Sequence, residues 1–131
     1  MQVRDYMSQA PVTIDAGTDY QQAFAIMEDR DLHHLPVLDG GGDCVGIVTR
    51  RDLQLAARCF QEAPVEVSEV MHTPVTTIAP NADLGAAVER MTAERIGCLP
   101  VSENGGARLV GIITETDLLR ALRDLLSQRE G

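Results

Sequence analysis

Gly-Ile-Ile-Thr-Glu-Thr-Asp-Leu, from Gly111 to Leu118, repeats an earlier Gly-Ile-Val-Thr-Arg-Arg-Asp-Leu, from Gly46 to Leu53. Each copy predicts a short apolar strand that ends at a threonine and leads directly into a helix. The threonine and the aspartate three residues later then lie at the helix N-terminus, where unpaired backbone N–H groups and the helix dipole favour oxygen-rich ligands. We interpret the rest of the chain as the scaffold of this duplicated motif.

The two motifs belong to a repeat that covers the whole chain. Leu35-Pro36-Val37 matches Leu99-Pro100-Val101 at a constant offset of about 64 residues. One extra residue in the second copy keeps the two eight-residue motifs in line. Each unit is longer than a solenoid repeat, and two copies are too few for a solenoid. We therefore expect a duplicated half-domain, with one repeat over residues 1–62 and the other over residues 63–131.

Hydrophobic periodicity predicts the same element order in each repeat: strand, helix, strand, strand, helix. The first helix of repeat one carries an apolar stripe at i, i+3, i+4 and i+7 from Tyr20 to Met27, and Asp19 can cap it. The matching helix of repeat two carries its stripe from Leu84 to Met91. A glycine-containing hairpin turn joins the last two strands of each copy.

This order predicts an α/β (α+β) fold in which each repeat forms a three-stranded sheet covered on one face by two helices. Neither sheet can bury its second face alone, so we expect the two sheets to pack against each other about a pseudo-twofold axis. Such an axis creates two related clefts, and the two Thr-x-x-Asp helix starts should line them.

The composition of the 131 residues is that of an ordinary globular protein, with 44% hydrophobic and 24% charged residues. Aromatic residues make up 3%, so the core must be aliphatic. No stretch approaches the roughly 20 continuous apolar residues of a membrane span. The N-terminus lacks the apolar run of a signal peptide, and we therefore expect a cytoplasmic location.

The charge argues against several partners and reactions. A net charge of −9 disfavours binding to nucleic acid or to an anionic membrane. All 11 basic residues are arginines, which excludes a Schiff-base or P-loop lysine but keeps bidentate phosphate recognition possible. The sequence also contains no G-x-S-x-G or H-E-x-x-H motif. We expect no enzymatic activity and no required cofactor.

From spacing alone, two interpretations of the Thr-x-x-Asp motif stay open. The pattern fits a capping box, in which the threonine accepts from a backbone N–H and the aspartate reaches back. It also fits a ligand site, because one carboxylate can accept hydrogen bonds from both hydroxyls of a ribose while the helix N-terminus receives a phosphate. Gly46 and Gly111 favour the ligand site, since each removes a side chain where a flat ligand could approach the backbone.

His33 and His34 directly precede the Leu35-Pro36-Val37 strand. Adjacent residues point to opposite faces of a strand and no third ligand is evident, which argues against a metal site. A protonatable imidazole donates to anions near neutral pH, so we expect this pair to assist phosphate binding.

The same positions differ between the repeats. Gly97 and Cys98 stand in repeat two where the histidines stand in repeat one. Arg50 and Arg51 add positive charge next to the first motif, whereas Glu115 and Thr116 replace them next to the second. We therefore expect two chemically unequal sites.

The three cysteines, Cys44, Cys59 and Cys98, are widely spaced, which is typical of reduced, buried thiols in a cytosolic protein. A metal or redox sensor built from these cysteines and the histidine pair is the alternative. The last predicted helix carries five leucines between Leu118 and Leu126, a stripe wider than one core contact needs. Part of it is expected to face a second chain, unless the helix is simply a frayed terminus.

Taken together, the motifs resemble the cystathionine-β-synthase (CBS) domain pair, also called a Bateman module. The resemblance rests on two copies of Leu-Pro-Val followed by Gly-Ile-Val/Ile-Thr-x-x-Asp-Leu, and it extends from Val3 to about Leu126. It implies a free-standing CBS pair whose clefts bind AMP, ADP, ATP or S-adenosylmethionine. It also implies a disc-like homodimer and an unknown regulated partner.

The resemblance assigns a role to each part of the motif. Asp52 and Asp117 match the ribose-binding aspartate of the family, and Thr49 and Thr114 match its phosphate-side hydroxyl. The residues expected to contact the ligand are Thr13, Ile14, His33, His34, Leu35, Pro36, Gly46, Ile47, Thr49, Arg51 and Asp52 in repeat one, and Thr77, Ile78, Cys98, Pro100, Gly111, Ile112, Thr114 and Asp117 in repeat two. Among these, the threonine–isoleucine pairs at the first strand are implied to edge the adenine, and the prolines and the isoleucines after each glycine to contact its ring.

The leading hypothesis is thus an adenine-nucleotide sensor. Its rival is a ligand-free dimerisation or interaction module, in which the threonines and aspartates only cap helices.

Overall fold

The computed structural model describes residues 1–106 and 108–130. Its strands are β1 (Ser8–Gln9), β2 (Ile14–Asp15), β3 (His34–Leu38), β4 (Cys44–Thr49), β5 (Cys98–Glu103) and β6 (Arg108–Thr114). Its helices are α1 (Tyr20–Arg30), α2 (Arg50–Phe60), α3 (Leu84–Glu94) and α4 (Glu115–Glu130). The mixed α+β class is therefore as predicted, with four helices and two three-stranded sheets in the described residues.

The chain forms two compact units that are not the two consecutive repeats. The first-repeat unit comprises Pro11–Val75, and the second-repeat unit comprises Met1–Ala10 together with Thr76–Gly131. The opening residues of the chain thus pack with the second repeat, and the segment after α2 packs with the first. The predicted repeat boundary between residues 62 and 63 does not coincide with a boundary between these spatial units. Gly131, the last residue of the predicted second repeat, lies outside the described residues.

The sheet of the first-repeat unit has the order β2-β3-β4. Strand β2 runs parallel to β3, with Ile14 opposite Val37, and β4 returns antiparallel to β3, with Pro36 opposite Ile47. The turn between β3 and β4 contains Gly42 at a φ of +85°, a conformation that glycine adopts without strain. The linking segment joins this sheet at its free edge, because His72 and Ile47 exchange both backbone hydrogen bonds.

The sheet of the second-repeat unit has the order β1-β6-β5. Strand β1 comes from the start of the chain and pairs with β6, with Ser8 opposite Ile112. The expected counterpart of β2 is reduced to one bridge, in which Ile78 lies parallel to Val101. A third strand is present in each unit, but the segment that supplies it differs from the prediction in the second.

We call the two segments that pack with the other repeat, Met1–Ala10 and the segment between α2 and Val75, the exchanged segments. Each contains a short helical turn that begins with a buried valine. Val3 starts a short 3-10 turn and its N–H donates to Ala82 O, while Val67 starts the matching turn and its N–H donates to Thr18 O. Both valines are 0% exposed. The two turns therefore occupy equivalent places, each against the loop that precedes the first helix of its unit.

Each unit has its own aliphatic core between the sheet and its helices. In the first-repeat unit the core includes Tyr20, Ala23 and Met27 of α1, and in the second Leu84, Ala87 and Met91 of α3. These residues confirm the predicted i, i+3, i+7 faces. Val88 of the predicted α3 stripe lies outside the core, since it is 45% exposed.

Gly46 and Gly111 allow the exchanged segments to approach the sheets closely. A Cβ at Gly46 would lie 2.5 Å from Met71 Sδ and 2.9 Å from the backbone oxygen of His72. A Cβ at Gly111 would lie 2.7 Å from the backbone oxygen of Ser8. The missing side chains thus make room for a neighbouring segment of the chain. The sequence analysis had expected them to make room for a flat ligand. The glycine backbones remain predicted ligand contacts.

We expect Gly46→Ala to lower the free energy of unfolding by about 1–3 kcal/mol, because the added methyl overpacks against backbone atoms that cannot yield as a side chain can. Urea denaturation monitored by circular dichroism measures the change. Gly40→Ala is the matched control, since a Cβ there meets none of the described residues within 4 Å. Equal stability of Gly46→Ala and the control would contradict this account of the glycine.

Candidate ligand-binding sites

The first candidate site forms where β4 ends and α2 begins. Thr49 is the N-cap of α2, and its Oγ1 accepts from the N–H of Asp52 at 3.1 Å. Asp52 reaches back, and its Oδ2 accepts from the N–H of Thr49 at 2.8 Å. The capping box that the sequence allowed is therefore present, and it occupies one carboxylate oxygen of Asp52.

The second oxygen of Asp52 meets a histidine that the sequence analysis did not assign to the site. His72 Nε2 lies 2.9 Å from Asp52 Oδ1, and an ionised carboxylate can only accept, so the imidazole donates. The imidazole is 69% exposed, whereas the side chain of Asp52 is 15% exposed. The carboxylate is thus largely enclosed and the group that covers its free oxygen faces solvent.

The second candidate site has the same cap at the start of α4. Asp117 Oδ2 accepts from the N–H of Thr114 at 2.9 Å and from its hydroxyl at 3.2 Å. The side chain of Asp117 is 8% exposed. The two carboxylates therefore lie at equivalent places, and neither points outward into solvent.

The free oxygen of Asp117 is held by an arginine on the same helix. Arg120 Nη2 donates to Asp117 Oδ1 at 2.7 Å and to the backbone oxygen of Tyr6 at 2.9 Å. The guanidinium also lies over the Tyr6 ring, 5.8 Å from its centroid, at a distance typical of a cation–π contact. The Tyr6 hydroxyl in turn donates to Asp124 at 2.7 Å, so a polar network surrounds the second aspartate.

Strand register shows which predicted residues share a face with each threonine. In the first-repeat unit His34 is opposite Thr49 and Pro36 is opposite Ile47, so alternation places these four on one face of the sheet. In the second, Cys98, Pro100, Ile112 and Thr114 share the equivalent face. Each unit thus joins the cap to an apolar proline–isoleucine pair, as the resemblance implied.

Other predicted contacts lie elsewhere. Leu35 is 0% exposed and packs with Ile14 in the core between sheet and helices, and Ile78 packs in the core of the second-repeat unit. Thr13, just before β2, and Thr77, just before the bridge at Ile78, are half-buried. His33 is exposed just before β3. Leu35, Ile14 and Ile78 pack in the cores, on the opposite sheet face from the capping threonines, Thr49 and Thr114.

The two arginines expected beside the first motif point away from it. Arg50 donates from Nη2 to the backbone oxygens of Met27 and Leu32 at 3.2 and 2.9 Å, where it caps the C-terminal end of α1. Arg51 lines a cavity of about 600 Å³ between α1 and α2 that Tyr20 also lines. Neither guanidinium is among the described contacts of Asp52, and the positive charge that the two arginines are expected to add next to the first motif stays a prediction.

Three observations concern the residues of the metal or redox alternative. Within residues 1–106 and 108–130, no three His, Cys, Asp or Glu side chains come together in a way that could hold a metal ion. Cys59 is exposed, contrary to the expectation of buried thiols, while burial raises the pKa of the Cys44 thiol and so disfavours its reactive thiolate. Among the described residues, no helix combines the length and hydrophobicity that crossing a bilayer requires.

Two sheets with a Thr-x-x-Asp cap at equivalent strand ends define a tandem-repeat domain of the CBS type. The sequence profile of the CBS domain matches residues 3–58 and 67–124, and the chain belongs to this family. It is 32% identical to a CBS domain-containing protein of Dictyostelium discoideum, across 95% of this chain and 92% of the relative.

Other relatives are much longer than the chain. It is 26% identical to an A-adding tRNA nucleotidyltransferase of Aquifex aeolicus, of which it spans 15%, and 34% identical to a homoserine O-acetyltransferase of Methanococcoides burtonii, of which it spans 24%. The chain thus matches only a part of each of these enzymes.

Solved structures share the fold over the full length. A putative acetoin utilization protein of Vibrio cholerae, 36% identical, covers 100% of this chain and 98% of its own, with a TM-score of 0.89. The CBS domain pair of protein MJ0100, in complex with 5′-methylthioadenosine and S-adenosyl-L-methionine, is 27% identical over 95% of this chain and 97% of its own, with a TM-score of 0.85.

The Tyr6–Asp124 bond predicts a pH dependence of stability. The Tyr6 hydroxyl, followed by Arg123, lowers the pKa of Asp124 below its ordinary value, so the bond stabilises the fold while Asp124 is ionised. This contribution is fully present above the ordinary aspartate pKa of about 3.9 and is lost as the pH falls from there through the lowered pKa of Asp124. Tyr6→Phe, which keeps the ring over Arg120, should therefore be less stable than wild type at pH 7, and the difference should shrink towards pH 3.

Urea titrations at both pH values measure this difference. Tyr20→Phe is the matched control, because it also removes a tyrosine hydroxyl, but one that donates to the Gln61 carbonyl, which does not titrate. A Tyr6→Phe deficit that stayed constant with pH, as the control deficit should, would contradict the proposed link to Asp124.

Proposed function

We propose that the protein is a non-enzymatic, cytoplasmic sensor whose Thr-x-x-Asp sites bind adenosine compounds such as S-adenosylmethionine, AMP or ATP. The observation that carries the proposal is a Thr-x-x-Asp cap whose threonine shares one sheet face with an apolar proline–isoleucine pair. A carboxylate accepts from the vicinal hydroxyls of a ribose, and an apolar surface beside it suits the adenine ring. The threonine hydroxyl and the helix N-terminus favour the negative charge of a phosphate or carboxylate.

The adenosyl ligands of the MJ0100 domain pair support this choice of ligand class. Both 5′-methylthioadenosine and S-adenosyl-L-methionine carry an adenine and a ribose diol, and the likeness to this chain covers nearly all of both proteins. AMP and ATP share the same adenosine moiety, so they belong in the same test. The enzymatic activities of the longer relatives are not part of the proposal, because the chain spans less than a quarter of the nucleotidyltransferase and about a quarter of the acetyltransferase.

A sensor must couple ligand binding to a change that a partner can detect. A ligand shifts a conformational equilibrium only by its difference in affinity for the two states. At about 100 times its Kd, a ligand stabilises the state that binds it by about 2.7 kcal/mol. This amount is enough to redistribute two conformations of similar free energy and thereby alter the surface offered to a regulated protein.

We expect S-adenosylmethionine, AMP or ATP to raise the melting temperature of the wild-type protein and to give measurable heat in a calorimetric titration. The double variant Asp52→Asn with Asp117→Asn should lose both responses, because the amide keeps a cap oxygen but no longer offers a charged acceptor to the diol. Asp29→Asn, an exposed position on α1, is the control. Wild type without heat or melting shift for any of the three ligands, or an unchanged response of the double variant, would reject the proposal.

The rival proposal, a ligand-free interaction module, draws support from the exposed leucines of α4. Leu119, Leu122, Leu125 and Leu126 are between 44% and 65% exposed, whereas Ala121 of the same helix is 5% exposed and packs in the core. Large apolar residues clustered on one helix face are typical of an interaction surface. We propose that this face forms a homodimer contact, which is compatible with either function.

Leu122→Glu combined with Leu126→Glu should convert a dimer into a monomer, because the pair would bury two charges against an apolar face. Sedimentation velocity should show twice the 14.2 kDa chain mass for wild type and the single mass for the variant. Ser127→Glu with Gln128→Glu adds the same charge to exposed positions of α4 and should leave the dimer intact. A wild-type monomer, or a leucine variant that stays dimeric, would show that α4 is not the contact.

A further inference from the structure

The free oxygens of the two aspartates are covered by groups of different strength. Asp117 Oδ1 accepts from Arg120 at 2.7 Å, and Asp52 Oδ1 accepts from His72 at 2.9 Å. In both sites the other oxygen is held by the cap. A ribose diol that binds either carboxylate must therefore take the place of, or share with, one of these two side chains.

Arg120 is difficult to displace. Its guanidinium is permanently charged, so its bond to Asp117 is an ion pair as well as a hydrogen bond. The same Nη2 donates to the Tyr6 carbonyl, and the Tyr6 ring lies under the guanidinium. Moving Arg120 away from Asp117 thus breaks three interactions at once and leaves a carboxylate that is 8% exposed without its cation.

His72 is easier to displace. Its backbone is fixed by two hydrogen bonds with Ile47, at 3.1 and 2.8 Å, so the imidazole can rotate without loss of the strand pairing. The imidazole is 69% exposed and can regain its hydrogen bonds from water. The cost of freeing Asp52 is therefore confined to one hydrogen bond at a solvent-facing position.

We infer that the diol of an adenosine ligand binds at Asp52, where His72 competes with it, and that Arg120 closes the equivalent site at Asp117. This inference rests on the proposed function and names which of its two sites operates. His72 and Arg120 are positioned as specificity-determining residues: they decide which carboxylate a ligand can reach.

The repeat itself supplies the substitutions that test this inference. Arg120 aligns with Leu55, and His72 aligns with Ser8, so each covering group is missing from the other copy. Leu55 is 47% exposed and stands three residues after Asp52, the same spacing as Arg120 after Asp117. An arginine introduced there can reach the first carboxylate as Arg120 reaches the second.

The experiment is a calorimetric titration with S-adenosylmethionine and with AMP that reports stoichiometry and Kd. Wild type should bind one equivalent of at least one ligand, and Asp52→Asn should abolish this binding while Asp29→Asn, the exposed control on α1, leaves it unchanged. Arg120→Leu should add a second equivalent. His72→Ser should tighten the first Kd by about 10-fold, the effect of removing one competing hydrogen bond to a charged group. Leu55→Arg should weaken it by about the same factor.

A 2′,3′-dideoxy analogue of the bound ligand is the matched probe. It lacks the diol, so its weaker binding should not respond to Leu55→Arg or His72→Ser. Circular dichroism and melting curves show whether each variant is folded, and Leu55→Arg tests the inference independently should Arg120→Leu fail to fold.

The possible failures are distinguishable. No binding of S-adenosylmethionine, AMP or ATP to wild type or to any variant would overturn the proposed function. Two equivalents bound by wild type, binding kept in Asp52→Asn, or a Kd that does not change in Leu55→Arg would overturn this inference while leaving the proposed function in place.

Discussion

The reciprocal bonds between a strand-ending threonine and the aspartate three residues later organise both units. The threonine N–H donates to the carboxylate at 2.8 Å in one unit and 2.9 Å in the other. This bond satisfies a donor at the helix start and sets the sharp turn from strand to helix. It also holds the carboxylate against a threonine that shares its sheet face with the proline–isoleucine pair. Capping and ligand binding are therefore compatible, because the cap uses one oxygen and leaves the other to face a second group.

Most of the fold could be predicted from the sequence because its signals are local. The helix stripes and the hairpin turns follow from side-chain period and from glycine, and the structure places the elements where those patterns predict them.

Alternation could also have corrected one prediction. If Pro36 shares a face with Thr49, then Leu35 between the histidine and the proline must face the helices, as it does in the core. The prediction of both Leu35 and Pro36 as ligand contacts did not apply this constraint.

The exchange of opening segments could not be predicted, because the two repeats offer equivalent docking places. Val3 and Val67 fill matching positions, so local sequence favours neither pairing over the other. Of the two side chains that bond the aspartates, one could have been predicted from local spacing and the other could not. Arg120 could have been found from its i, i+3 spacing on a predicted helix, since such pairs are neighbours on the helix surface. His72 lies 20 residues from Asp52, and only the strand pairing of the linking segment brings it there.

The exchanged segment reaches the aspartate in both units, by two different routes. In the first-repeat unit the segment supplies His72 itself, whose backbone pairs with β4 while its imidazole covers Asp52. In the second, the segment supplies Tyr6, whose carbonyl and ring hold Arg120 on Asp117. A diol that takes Asp52 therefore acts directly on the segment that links the two repeats along the chain. Release of the imidazole removes one side-chain contact of that segment, while its buried valines and its backbone bonds to β4 remain, which gives ligand binding a physical route to a local structural change.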